Sequence, residues 1–291
     1  MAGKVTPHRI LHAKRAKNSA SPSRGEAILL VGAGRMGGAL LKGWVGKRVG
    51  PVTVVEPNPS AELRKLARGK SIVLCDSVEA APQRVRACVV ALKPQIFKTE
   101  AARLAPIAQS GALMISIAAG TNTRSMFKAW GRDARIIRAM PNTPGQIGRG
   151  ISALYAAKTA TAADRRLAED LLSALGETLW VAREPMIDAV TAVSGSGPAY
   201  VFLLVECLAA AARAEGLPRD TAERLARATV SGAGALLDAD KRPASDLRRD
   251  VTSPGGTTEA ALNVLMAKNG LEVLMTRAIR AATARAKQLG S

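Results

Sequence analysis

Short apolar runs alternate with amphipathic stretches from Ala27 to about residue 184. AILLV (27–31), VTVVE (52–56), SIVLC (71–75), ACVVALK (87–93), LMISIAA (113–119) and ARIIRAMP (134–141) predict strands. MGGALLKGWV (36–45) and SAELRKLARG (60–69) repeat with helical period and predict helices. Strands separated by helices in this way predict a parallel sheet covered on both faces, an α/β doubly wound architecture. GISALYA (150–156) and ETLWVA (177–182) extend that sheet around a helix at 162–174, so the sheet is expected to be mostly parallel.

Beyond residue 184 the strand signal stops. IDAVTAVSG, PAYVFLLVECLAAAARAEG, PRDTAERLARATVSGAGALLDAD, TEAALNVLMAKN and EVLMTRAIRAATARAKQL all carry helical periodicity. Pro198 and Pro218 stand near helix starts, where a missing N–H costs nothing, and Gly216 and Gly270 stand where helices should stop. The helix at 198–214 is apolar nearly all round, which predicts burial on every side. In so small a domain that points to packing against a second copy of the chain. The longest apolar run, from Pro198 to Ala212, is short for a bilayer and carries Glu206, so no membrane span is expected.

Composition adds bounds. With 291 residues and 47% hydrophobic positions the chain can build a full core, which excludes a disordered, collagenous or disulfide-scaffold protein. Lys+Arg 42 against Asp+Glu 23 gives +19. Residues 1–25 hold six of those bases and no acid, and read as a disordered basic tail. That composition also fits an organellar transit peptide. Without the tail the body still carries +13, which suits attraction of an anionic substrate and cofactor. The chain thus divides into a tail (1–25), an α/β domain (26–184) and an all-α domain (185–291). Cys75, Cys88 and Cys207 match no metal spacing and read as reduced thiols, hence a cytoplasmic setting. The two histidines are His8 and His12, so chemistry in the body must work without histidine. That excludes Ser-His-Asp and Cys-His hydrolases and most zinc sites; no metal is expected.

Gly32-Ala33-Gly34-Arg35-Met36-Gly37 follows the first strand and opens the first helix. Gly32 allows a tight turn, Gly34 close approach of a pyrophosphate, and Gly37 close contact between helix and sheet. Such a G-x-G-x-x-G run by itself is an ordinary tight turn. Here strand, helix and an acid ending the second strand agree on a Rossmann-type dinucleotide site. The acid, Glu56, suits the ribose hydroxyls of NADH and repels a 2′-phosphate, while Arg35, Arg64 and Lys65 suit NADPH. Both cofactors stay open on these residues. Ala91-Leu92-Lys93-Pro94-Gln95 ends a further strand, on the side where open parallel sheets bind ligands. Met140-Pro141-Asn142-Thr143-Pro144 ends another and should lie near the nicotinamide.

Two segments of the helical half are rich in small residues: Ser194-Gly195-Ser196-Gly197-Pro198, and Thr252-Ser253-Pro254-Gly255-Gly256-Thr257-Thr258. The second offers hydroxyls and free amides at a helix N-terminus, a setting for a carboxylate; the bland reading is a Ser/Thr-capped turn. It lacks the lysine of a phosphate-binding P-loop. Other absences narrow the reaction. Tyr155 has Thr159 four positions on, against the Tyr-x-x-x-Lys of short-chain dehydrogenases, and no lysine lies between Glu184 and Asp240, where β-hydroxyacid dehydrogenases place one. Acid catalysis on a ketone is poorly supplied. A protonated C=N is already electrophilic and needs positioning and one hydrogen bond, so imine reduction is favoured.

Together V-G-A-G-R-M-G-G-A-L (31–40), A-L-K-P-Q (91–95), A-M-P-N-T-P (139–144), S-G-S-G-P-A-Y (194–200) and D-V-T-S-P-G-G-T-T (250–258) resemble the pyrroline-5-carboxylate reductase family across 26–291. The resemblance implies reduction of 1-pyrroline-5-carboxylate to proline by NADPH or NADH. It also implies a homodimer with intertwined helical domains, often assembled into decamers. Carried over by position, Ser253, Gly256, Thr257 and Thr258 bind the substrate, with Thr258 the catalytic partner of the ring nitrogen, on a loop donated to the other subunit. Gly32, Ala33, Gly34, Arg35, Met36, Gly37, Glu56, Leu92, Lys93, Pro94, Gln95 and Asn142 would hold the cofactor. Glu56 departs from the NADPH-preferring pattern, and the tail is no part of the family's core. Two other readings compete. One is a different imine or ketone reductase of this plan. The other is a basic nucleic-acid-binding redox sensor, which eight aromatic residues and no nucleic-acid module argue against.

Overall fold

The computed structural model describes residues 27–68 and 71–290; the basic tail lies outside the described residues. Eight strands form one sheet: β1 (Ile28–Val31), β2 (Val52–Val55), β3 (Ile72–Cys75), β4 (Ala87–Val90), β5 (Leu113–Ser116), β6 (Arg135–Met140), β7 (Gly150–Ala156) and β8 (Gly176–Trp180). Their order is β3-β2-β1-β4-β5-β6-β7-β8. The first six are parallel and reverse direction of growth between β1 and β4, which opens a crevice at the carboxyl ends of those two strands. β7 runs antiparallel to β6, and β8 parallel to β7. The nine residues between β6 and β7 are too few for a helical crossover, so the chain turns back on itself.

Helices α1 (Arg35–Gly46), α2 (Ala61–Ala67), α3 (Pro94–Glu100), α4 (Ala105–Gln109), α5 (Thr123–Trp130) and α6 (Ala162–Leu172) cover the sheet. Alternation along the strands sorts two cores. Ile28 and Leu30 of β1 face Leu40, Leu41 and Trp44 of α1 and Leu171 of α6, whereas Leu29 and Val31 face Phe97, Ile107, Met126 and Trp130. Each such side chain, fully buried, contributes about 1.5–3 kcal/mol. The indole of Trp44 donates to the Leu171 carbonyl at 2.8 Å, so its one polar atom is satisfied inside the first core. Of the three helices α3 to α5, two were not legible in sequence. α3 and α4 are short, with one or two buried side chains each, too few to set a period, whereas α5 buries Thr123, Met126 and Trp130 at helical spacing behind an Asn122 cap, a signal that was there to read.

The second half is helical: α7 (Met186–Val190), a π-helical turn (Thr191–Gly195), α8 (Gly197–Ala214), α9 (Arg219–Ala239), α10 (Ala244–Asp250), α11 (Thr257–Leu265) and α12 (Leu271–Gly290). One expectation needs correction. The small-residue segment at 194–198 does not break the chain direction, so α7, the π turn and α8 join into a 29-residue stretch, Met186–Ala214, long and apolar enough to cross a bilayer by length and composition. In the single chain α8 is exposed rather than buried, with Phe202 63% and Leu203 56% accessible and only Ala209 covered. Leu225, Leu236 and Leu237 on α9 and Leu271 and Leu274 on α12 are likewise exposed. The all-round apolar character of α8 is therefore not met by its own chain.

Candidate active site

The glycine turn after β1 sits at the crevice, and the three glycines have three different causes. Gly32 has φ +89°, and a Cβ there would stand 2.9 Å from the Ala91 carbonyl oxygen. A Cβ on Gly37 would stand 2.1 Å from the Gly32 carbonyl oxygen, so the first turn of α1 can lie against β1 only without a side chain. Around Gly34 nothing lies within 4 Å of such an atom. No protein contact requires that glycine; the space in front of it is open. Gly34 is also the N-cap of α1 and no side chain caps the helix, which leaves its leading amides for an outside acceptor. This open, uncapped, positively polarised cradle fits a pyrophosphate.

Glu56 closes the turn from the β2 side. Its Oε2 accepts from the Ala33 amide at 2.9 Å and its Oε1 from the Asn58 amide at 3.2 Å. Both oxygens thus brace backbone, one in the glycine turn and one in its own loop. A cleft of about 420 Å³ beside it is lined by Gly32, Glu56, Asn58, Asp76, Ser77 and Leu92, among others. Asp76 and Ser77, just past β3, were not singled out in sequence; their signal was their place after the strand. Arg35 is exposed at the start of α1, and Arg64 Nε donates to the Pro59 carbonyl at 3.2 Å, near the outer rim of the β2 loop. Met36 is partly buried against the core. Leu92 packs near Gly32, while Lys93, the N-cap of α3, and Gln95 are exposed and Pro94 opens that helix.

Asn142 follows β6. Its Oδ1 accepts from the Ile151 amide at 2.9 Å, fixing the start of β7, and its side-chain nitrogen has no hydrogen-bond partner among the described residues. Among the described residues no group of three or more His, Cys, Asp or Glu side chains converges as a metal site. Burial pushes the Cys88 thiol far above its ordinary range, so it stays protonated in the core.

The 252–258 turn is built differently. Gly255 has φ +71°, its amide donates to Glu259 Oε2 at 2.7 Å, and the Gly256 amide donates to the Ser253 carbonyl at 3.0 Å. Gly256 is the N-cap of α11 and again no side chain caps the helix. The Ser/Thr-capped reading of this turn therefore fails. Among the described residues the hydroxyls of Ser253, Thr257 and Thr258 make no hydrogen bond, and Ser253 and Thr257 are exposed while Thr258 is half-buried. Thr252 alone is used locally, donating to the Arg248 carbonyl at 2.6 Å. None of the turn's hydrogen bonds reaches the sheet half, so one chain does not bring the two candidate sites together through them.

Comparison with known proteins accounts for both halves. Residues 184–289 match the family model described as pyrroline-5-carboxylate reductase dimerisation, and residues 27–120 the model described as NADP oxidoreductase, coenzyme F420-dependent. The pyrroline-5-carboxylate reductase of Pseudomonas aeruginosa is 41% identical over 90% of this chain and 96% of its own length. That of Pisum sativum is 35% identical over 89% of this chain and 94% of its own. The solved structure of the Coxiella burnetii pyrroline-5-carboxylate reductase superposes with a TM-score of 0.84 at 34% identity, covering 91% of this chain and 99% of that one. The Plasmodium falciparum pyrroline carboxylate reductase, solved with NADP bound, gives 0.76 at 27% identity over 92% of this chain and 99% of its own. The matches run along nearly the whole chain, through the nucleotide half and the helical half, and the chain belongs to the pyrroline-5-carboxylate reductase family.

Proposed function

We propose that this protein reduces the C=N bond of 1-pyrroline-5-carboxylate to give L-proline, with a reduced nicotinamide dinucleotide as the hydride donor, and that the reaction is held by the residues of the two turns. The observation that carries this assignment is the set of three uncommitted hydroxyls at an uncapped helix N-terminus, Ser253, Thr257 and Thr258. The leading amides of a helix have no partners of their own. With the hydroxyls of Ser253 and Thr257 and the Gly256 backbone they suit a carboxylate. The Thr258 hydroxyl hydrogen-bonds the ring nitrogen and keeps the protonated imine aligned.

Gly32, Gly34 and Gly37 shape the cradle for the pyrophosphate, with Ala33, Arg35 and Met36 supplying backbone there; Leu92, Lys93, Pro94 and Gln95 border it, and Asn142 offers a free amide nitrogen towards the nicotinamide side. When bound, NADPH or NADH supplies the hydride that adds to the imine carbon, and the nitrogen keeps its proton. Because Glu56 is turned onto two backbone amides, its charge faces the turn, which leaves room for NADPH beside Arg64. Basic residues elsewhere on the body draw both anionic reactants in.

The division at residue 184/185 follows the same reading: a nucleotide domain before it, a substrate and dimerisation domain after it. The exposed leucines of α8, α9 and α12 pack in a homodimer rather than in lipid or on nucleic acid, and a decamer of such dimers is the larger assembly to look for by light scattering. The free thiols suit a cytoplasmic location. The test is direct: purified protein, pyrroline-5-carboxylate, and NADPH or NADH in parallel, followed by loss of the reduced-nicotinamide absorbance. Fast oxidation is the expected result. A folded, cofactor-binding protein that leaves both unchanged would point to a different imine.

A further inference from the structure

One buried ionic group belongs to neither turn. Arg138, on β6, is 4% exposed inside a strand otherwise filled by Ile136, Ile137 and Ala139. Its guanidinium lies 3.1 Å from Glu184 Oε1 and 3.7 Å from Asp188 Oδ1. Glu184 precedes α7 and Asp188 is on it, so the pair spans the nucleotide half and the helical half. Glu184 also accepts from the Thr123 amide at 2.7 Å and from the Thr123 hydroxyl at 2.5 Å, at the first residue of α5. Two elements, β6 and α5, therefore converge on one carboxylate carried just ahead of α7.

An apolar patch completes the junction. Ala153, Val181 and Ile187 form a small core of their own, with Met140, Tyr155 and Val190 packed on it. Met140 is two residues on from Arg138 and shares its face of β6. A Cβ on Gly195 would stand 2.8 Å from Met140 Cε, so the π turn is pressed against the end of β6. Asn122 adds a third tie, donating to the Gly290 carbonyl at the end of α12 at 2.6 Å. The strand that Arg138 anchors continues through Met140 to Asn142, the residue placed above on the nicotinamide side.

Burying a guanidinium against two carboxylates is costly unless geometry is held, and a hydrophobic substitute of like volume is often no less stable. Stability alone does not account for the arrangement. Its distinguishing property is directional: the planar guanidinium donates to Glu184 through one nitrogen and holds Asp188 in ion-pair range through another, a fixed fork that the point charge of a lysine holds less rigidly and an apolar group not at all. We propose that Arg138, through Glu184 and Asp188, is a positioning residue that sets the π turn and α8 against the end of β6, and so fixes how the helical half meets the nicotinamide side. The inference rests on the reductase reading for its kinetic arm only.

The test compares Arg138→Met, Glu184→Gln and the double variant with wild type, all as full chains. In cofactor-free protein, amide exchange over 184–195 is expected to rise about tenfold or more in both single variants, while that of β1 and β4 stays put. NADPH affinity, read by fluorescence, should stay within about twofold, and kcat should fall about tenfold or more with KM nearly unchanged, as expected for a misplaced rather than unbound substrate. In the double variant Asp188 is the one carboxylate of the pair left facing the missing guanidinium, against two in Arg138→Met, so the melting temperature should recover in part relative to Arg138→Met while kcat stays low. A kcat that recovers along with melting temperature makes the group structural only and overturns the proposal, as do wild-type exchange and kcat in the single variants. If wild type itself does not turn over pyrroline-5-carboxylate, the reaction assignment falls and the exchange result decides the junction by itself.

Discussion

The glycine turn at 32–37 and the turn at 252–258 are both uncapped helix N-termini, yet they differ in what surrounds them. At the first, Gly32 and Gly37 are explained by atoms of the same chain, Ala91 and Gly32 itself, and Glu56 braces the loop; Gly34 alone faces open space. At the second, the backbone is tied only to its own neighbours, and among the described residues three hydroxyls, two of them on exposed side chains, have no partner. A binding site finished within one chain leaves one gap of the ligand's shape. A turn with most of its polar groups unanswered is half of a site. On the proposed reading the other half comes from the substrate together with a second copy of the chain, and the apolar helices of the helical half are open to receive one.

The largest effect expected from this contrast is at Gly34. Gly34→Glu meets no protein atom, so melting should move little, but it sets a carboxylate where the pyrophosphate sits; NADPH affinity should fall by about 100-fold or more by fluorescence titration. A large drop in melting temperature would mean that the open space is needed by the fold. Next is Thr258→Ala, expected to leave NADPH binding intact and to lower kcat about 10- to 1,000-fold, or about 1.4–4 kcal/mol. An unchanged rate removes Thr258 from the chemistry.

These two lesions then test which chains share a site. If the 252–258 turn serves the partner's nucleotide half, refolding Gly34→Glu and Thr258→Ala chains together gives mixed dimers with one intact site each, and about a quarter of wild-type activity returns by random assortment. Assembly within one chain predicts no recovery. A smaller effect belongs to Glu56→Ser, which frees the Ala33 and Asn58 amides and removes a charge near the ribose; the NADPH/NADH ratio of kcat/KM should rise several-fold, about 1 kcal/mol. No change in the ratio would assign Glu56 to bracing the turn alone. The smallest is deletion of residues 1–25, expected to leave kcat and KM as they are.

Much of this was legible along the chain because it depends on spacing. A strand, a glycine turn, a helix and an acid at the end of the next strand lie within thirty residues of one another, and local sterics dictate Gly32 and Gly37. Short, weakly patterned α3 and α4 were not legible, since packing on the sheet rather than periodicity makes them helical, whereas the Asn122 cap and the spacing of Thr123, Met126 and Trp130 did mark α5. Nor was Arg138. An arginine inside an apolar strand was its only signal, and its partners stand 46 and 50 positions downstream.

By itself, then, the sequence determined the alternation of elements, the two halves, the glycine turn and the hydroxyl-rich turn, all of which follow from periodicity and backbone sterics acting over a few residues. Tertiary structure decided the rest: that Glu56 spends both oxygens on backbone amides, that Gly34 alone of the three turn glycines has open space where a side chain would stand, that the π turn carries α7 into α8 without a break, and that Arg138 meets Glu184 and Asp188. These depend on distances between segments far apart in the chain, which are fixed only when the sheet and its covering helices have packed.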